Sequence, residues 1–172
     1  MKRDYIEFQD RSQPIAFLIT FRTYGTWFHG DERGSVNRRG MNRYGLPGIK
    51  PSPGLEDFEK RGLISVPILL NSVRRRVVEK AIREVCKFRG YELHALNVRT
   101  NHVHMVISAG ILPEKIMNAL KAYGTRALRK AGLISAKQKV WARHGSTKWI
   151  WTEESLEKAV EYVVLGQGAD LL

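Results

Sequence analysis

The stretch Asn101-His102-Val103-His104-Met105-Val106-Ile107-Ser108 carries two of the chain's five histidines, two residues apart. On an extended strand, residues i and i+2 point to the same face. His102 and His104 then stand side by side, while Val103, Met105 and Ile107 face the other way. Imidazole suits several divalent metals, so two rings fixed on a rigid strand make half of a metal site. The same pattern also describes two histidines lying on a polar sheet face. A second kind of chemistry rests on the six tyrosines. Tyr162 falls in a late amphipathic stretch with Lys158 one helical turn before it, and a neighbouring cation favours phenolate. Tyr123 is the competitor: it lies in the helical stretch directly after the paired histidines, with Arg126 at i+3. Residues 22–30 interleave Tyr24, Trp27 and Phe28 with glycine and Arg22. That composition can stack on unpaired nucleobases or pack as an aromatic loop on a core. His29 and Asp31 would add two ligands, but nothing else in the sequence supports a metal there.

These residues need elements to position them. Ile15–Phe21 is a compact apolar run between Pro14 and Gly25 and reads as a buried strand. Residues 30–66 are the least regular part, with seven glycines, three prolines, and Arg33, Arg38, Arg39 and Arg43 in their first half. They are expected to form a basic, partly irregular insertion, either able to clamp a DNA backbone or simply a solvated loop. From Leu69 the period changes. Val73, Val77, Val78, Ala81, Ile82, Val85 and Phe88 predict a helix over about 70–89, capped by Asn71 or Ser72 and ended by Gly90. Arg74, Arg75 and Arg76 sit in its first turn, an unfavourable place for cations that phosphate contacts would offset. Tyr91–Val98 and His102–Ser108 form a hairpin around Arg99-Thr100-Asn101. A helix over about 112–131 follows, with Lys121 and Arg126 among its charges. Lys139–Arg143 and Lys148–Thr152 flank a turn-like His144-Gly145-Ser146 and read as a strand or a hairpin. Thr152, Glu153 and Glu154 then open a last helix. The order is strand, helix, strand, strand, helix, strand and a further helix. It predicts an α+β chain with a ferredoxin-like antiparallel sheet (β-α-β-β-α-β), helices on one face and an extra C-terminal helix. The first and third strands are central there, so the paired histidines would sit mid-sheet.

The chain has 172 residues, 43% of them hydrophobic, which favours one domain over 1–172 with its own core. A formal charge of +12 points to a polyanionic partner, nucleic acid before membrane. The one cysteine, Cys86, excludes an internal disulfide framework. No stretch reaches the ~18 apolar residues of a spanning helix, and the first residues lack the apolar run of a signal peptide. A cytoplasmic location with no membrane partner is expected.

A His-hydrophobic-His strand in such a fold, with a tyrosine in a late helix, resembles the single-tyrosine HUH transposases. This is the IS200/IS605-like group, with its REP-associated tyrosine transposase relatives. The matching pieces are Phe17–Trp27, Asn101–Ile107, Leu120–Leu128, Val140–Arg143 and Glu157–Gln167. The resemblance implies cleavage and rejoining of single-stranded DNA through a 5′-phosphotyrosine, with Tyr162 as nucleophile. It implies a divalent metal, Mg²⁺ or Mn²⁺, on His102 and His104. It also implies DNA hairpins at the element ends and allows a homodimer. The family commonly places a third ligand, Gln or Asn, four residues after the tyrosine. Here that position is Gly166, and the amide is Gln167. On a regular helix Gln167 would point about 140° away from Tyr162, so it joins the metal only if the helix unwinds at Gly166. The charges expected to meet DNA are Arg22, Arg74, Arg75, Lys121 and Arg126. The alternative is a non-catalytic module that binds single-stranded nucleic acid on a ferredoxin-like sheet, which leaves the histidines and Tyr162 without a role. An unrelated metal-dependent hydrolase is disfavoured, because no acidic cluster accompanies the histidines.

Overall fold

The computed structural model describes residues 13–28 and 51–166. Its eight elements are β1 (Ala16–Thr23), α1 (Pro53–Arg61), α2 (Ser72–Arg89), β2 (Glu92–Val98), β3 (His102–Ser108), α3 (Pro113–Lys130), β4 (Trp141–Ile150) and α4 (Glu153–Val164). The four strands form one antiparallel sheet in the order β2-β3-β1-β4. β1 and β3 are central, as expected for a ferredoxin-like arrangement, and the paired histidines lie on a strand hydrogen-bonded on both edges. Among the described residues, no helix is long and apolar enough to cross a membrane.

Alternation along the strands sorts side chains between two faces. Phe17, Ile19 and Phe21 of β1 and Val103, Met105 and Ile107 of β3 join Val78, Ile82 and Val85 of α2 and Ile116, Leu120 and Leu128 of α3 in the main core. On the other face, Ala16, Ala95, Val106 and Ile150 meet Val163 of α4, with Leu156, Ala159 and Val160 packed around them. The sheet is therefore covered on both sides: α2 and α3 on one, α4 on the other.

Local signals account for the helix ends. The Asn71 side chain accepts from the Arg74 backbone N–H at 2.9 Å, and Gly90 takes a left-handed φ of 67° at the other end of α2. Thr152 caps α4 by accepting from Ser155 N–H at 3.2 Å.

One expectation needs correction, and one open reading is resolved. Within the insertion, residues 53–61 are helical rather than irregular. Pro53 stands in the first turn with Glu56, Lys60 and Arg61 stand in the last, and Gly62 follows, a polarity that suits the helix dipole. Of the two readings of the segment around His144-Gly145-Ser146, the structure takes the strand: it lies within β4, next to a shift in register against β1 rather than at a chain reversal. Gly145 pairs with Phe21 across the ladder. A Cβ there would stand 2.3 Å from Met117 Sδ and 2.5 Å from the Thr20 carbonyl oxygen. Glycine is required by this close approach, not by a reversal of the chain.

Candidate active site

The face under α4 becomes polar beyond Val106. Thr20 and Asn97 are the ladder neighbours of His104, one on each side, and Arg22 is the neighbour of His102. Strands about 4.8 Å apart bring these side chains within reach of one another. The His102 and His104 ring centroids are 4.5 Å apart and their planes meet at 79°. Both Nδ1 atoms are engaged. That of His102 donates to Asn101 Oδ1 at 2.6 Å, and that of His104 lies 2.7 Å from Thr20 Oγ1. Asn101 is itself tied to β1, because its carbonyl accepts from the Thr23 backbone N–H at 2.8 Å and from Thr23 Oγ1 at 3.1 Å.

His104 is buried at 7% exposure. Burial first, then the charges of His102, Arg22 and Arg99, push its imidazole down to about 3. The ring is therefore neutral near pH 7, the form that ligates a metal. The Arg22 guanidinium carbon lies 3.4 Å from the centre of the Trp27 ring, which orients it beside His102.

α4 brings Tyr162 to the same place. Its ring centroid is 5.6 Å from that of His104, edge to face at 80°, and the residue is 46% exposed. One side of the phenol is held by the histidine while the rest opens to solvent. Asn97 fastens the helix here, its Nδ2 donating to the Val163 carbonyl at 3.0 Å. Gly166 closes behind the ring: a Cβ on it would come within 2.8 Å of the Tyr162 carbonyl oxygen and 3.0 Å of Cδ2. The Lys158 ammonium bonds Glu154 at 2.5 Å, one turn further from the tyrosine.

Of the residues singled out from the sequence, the structure thus brings His102, His104, Tyr162 and Arg22 together. Tyr123 is on the far side of the sheet, packed partly against the main core, with Arg126 4.1 Å over its ring. Lys121, expected to face phosphate, is instead buried, its ammonium donating to the carbonyls of Ala142 at 2.9 Å and His144 at 2.7 Å. Arg74 joins α2 to neighbouring loops by donating to the carbonyls of Leu69 and Leu133. Arg75 lies beside it on α2, half-buried. Gln167, His29, Asp31 and the arginines at 33, 38, 39 and 43 fall outside the described residues. Thr20 and Asn97 are not singled out by sequence reasoning. A signal for Thr20 exists: Thr20 and Arg22 alternate with Ile19 and Phe21, so the apolar run has a polar second face.

The donor set can be tested against a metal. Among the described residues, no three or more of His, Cys, Asp and Glu cluster. The site offers two close imidazoles with Nδ1 engaged, so a metal would take the Nε2 atoms. Mn²⁺ accepts such nitrogen donors, and Mg²⁺ would rely more on water and phosphate oxygens. Two nitrogen donors without a carboxylate suit Mn²⁺ better than Mg²⁺.

The family model described as "Transposase IS200 like" matches residues 66–163, more than half of the chain. A solved structure of a REP-associated tyrosine transposase bound to a REP hairpin is similar over 96% of this chain and 70% of that one, with a TM-score of 0.51 and 15% identity. A Deinococcus radiodurans R1 protein assigned as a transposase aligns over 95% of each chain, with a TM-score of 0.44 and 14% identity. At 15% identity the first of these likenesses is one of fold. No curated protein sequence matches the chain.

Proposed function

The chain belongs to the family of IS200-like transposases, and we propose that it cuts and rejoins single-stranded DNA through Tyr162. The observation that carries this reading is the meeting of Tyr162 with His104 within one chain, 5.6 Å between ring centres. A nucleophile and a metal-binding pair must share one phosphate, and here elements distant in sequence supply both. The contact also supports use of the tyrosine beside its own chain's histidines.

In this reading His102 and His104 would hold Mg²⁺ or Mn²⁺ through Nε2, and Gln167, which lies outside the described residues, would join them only if the chain leaves a regular helix at Gly166. When bound, the ion draws negative charge from the scissile phosphate and from the departing oxygen. Arg22, oriented by Trp27, takes a non-bridging phosphate oxygen, a planar pairing suited to guanidinium. Tyr162 Oη attacks phosphorus as its proton leaves. The bond from phosphorus to the 3′ oxygen breaks, and that oxygen keeps the electron pair and takes up a proton. The products are a 5′-phosphotyrosine and a free 3′-hydroxyl. Attack by another strand's 3′-hydroxyl reverses each change, re-forms a phosphodiester and restores the phenol without an external energy source. A single strand suits the site because one backbone phosphate must be laid between α4 and the sheet, and a REP-type hairpin is the proposed landmark beside it.

The test is covalent capture on a denaturing gel, using single-stranded DNA with and without Mn²⁺. Tyr162→Phe is expected to abolish the adduct and Tyr123→Phe to keep it. An adduct that survives Tyr162→Phe removes the assignment. Tight binding with no adduct in any variant leaves a binding module instead.

A further inference from the structure

We propose that Thr20 is a positioning residue for the metal site: its hydroxyl oxygen accepts from His104 Nδ1–H and so presents Nε2, unprotonated, to the ion. This rests on the reading of the histidine pair as a metal site, and it adds a function to a residue on a different strand.

The argument starts from proton count. A neutral imidazole carries one N–H. If Nε2 ligates, the hydrogen must be on Nδ1, and a buried N–H requires an acceptor. His104 is almost fully buried, and Thr20 Oγ1 lies 2.7 Å from its Nδ1. The reverse arrangement, with the hydroxyl donating to Nδ1, would put the hydrogen on Nε2 and close that nitrogen to a metal. One bond therefore decides whether the ring ligates.

The hydroxyl is also held in place. β1 is bound on both edges, Thr20 opposite His104 on one side and Ser146 on the other. Close packing at Gly145, 2.5 Å from the Thr20 carbonyl oxygen to a Cβ built there, fixes the backbone at this point. His102 has a parallel arrangement with Asn101, whose amide oxygen can only accept, so its Nδ1 must donate. Since Asn101 is tied to Thr23, β1 orients both rings: Thr20 directly and Thr23 through the hairpin turn.

The experiment uses the full chain labelled with ¹⁵N-histidine. Long-range ¹H–¹⁵N correlation reads the tautomer of each ring without metal, and calorimetry reads Mn²⁺ affinity. The unaltered chain is expected to hold His104 as the Nδ1–H tautomer. Thr20→Val, nearly the same in shape, should mix the tautomers and weaken Mn²⁺ binding by about 10–100-fold. Thr20→Ser should restore both, which loss of a folded β1 would not allow. An Nε2–H tautomer in the unaltered chain, or equal Mn²⁺ affinity in Thr20→Val, overturns the proposal. The parent reading fails separately: if tautomer and affinity respond as expected but no Tyr162 adduct forms, the site holds an ion without cutting DNA.

Discussion

Each face of the sheet is covered by helix, and each carries a tyrosine. On the α2–α3 face, Tyr123 lies under the Arg126 guanidinium, and the side chains below are a continuous apolar core. On the α4 face, Tyr162 meets His104, and the residues around it are Thr20, Arg22, Asn97 and His102. The same β3 supplies both surfaces by alternation. The difference teaches that a tyrosine beside an arginine is common furniture, whereas a phenol facing a buried imidazole with its Nδ1 engaged, on a doubly paired strand, is an arrangement with chemical use. One face stores stability, and the other places reactive groups at some cost to it.

The contrast is broken most severely at Ile107, a β3 residue with no exposure. Ile107→Ala should cost about 2–5 kcal/mol of stability in urea denaturation, from lost burial plus a cavity. Adduct formation by the folded fraction should be unchanged. A stable variant that cannot form the adduct would show that the faces are not separable.

The next effect belongs to the polar face. Histidine in the unfolded chain titrates near 6.5, while His104 in the fold is pushed down to about 3. Between those values only the unfolded chain takes up the proton, so stability is whole above pH 6.5 and falls as pH drops toward 3. At pH 4.5 the loss should be about 2–3 kcal/mol. Comparing urea curves of the unaltered chain and His104→Gln at pH 7 and pH 4.5 isolates it from carboxylate titration. Equal slopes in the two proteins would mean His104 is not buried neutral.

How much of this was legible beforehand follows the same division. Periodicity gave the sheet, the central place of β3 and the helices α2, α3 and α4, because apolar spacing is what the core selects. The histidine pair was visible because spacing of two on a strand fixes a shared face. Local signals misled where tertiary packing outweighed them. Gly145 looked like a turn but makes room for Met117 and the Thr20 carbonyl, and the glycines and prolines around α1 hid a short helix. Lys121 looked like a phosphate contact because it is one of several cations on its helix, yet it serves β4 carbonyls. Thr20 was hidden because its importance lies in a cross-strand partner, which no local pattern carries.

A smaller effect sharpens the geometry around the phenol. The family commonly has an amide where Gly166 stands, so Gly166→Gln tests whether restoring it helps. The space says otherwise: even a Cβ would press on the Tyr162 ring and carbonyl. The variant is expected to lower adduct yield by about tenfold or more, since small misplacements of a reacting group are costly. A gain in yield would mean that the amide reaches the ion and that the backbone at 166 yields readily.

The smallest effect asks which cation serves Tyr162. In sequence, Lys158 is the natural choice, one turn before it on the same helix. In the structure its ammonium bonds Glu154, both side chains lie in solvent, and the pair raises the lysine above its ordinary range while lowering the glutamate. An exposed pair of this kind is screened by water and does little at a distance. Arg22, stacked on Trp27 beside His102, is the better-placed positive charge. Lys158→Ala should therefore leave adduct yield and its pH profile unchanged, while Arg22→Ala lowers the yield. If the two results were exchanged, activation of the phenol would belong to α4 alone, and the sheet would serve only the ion.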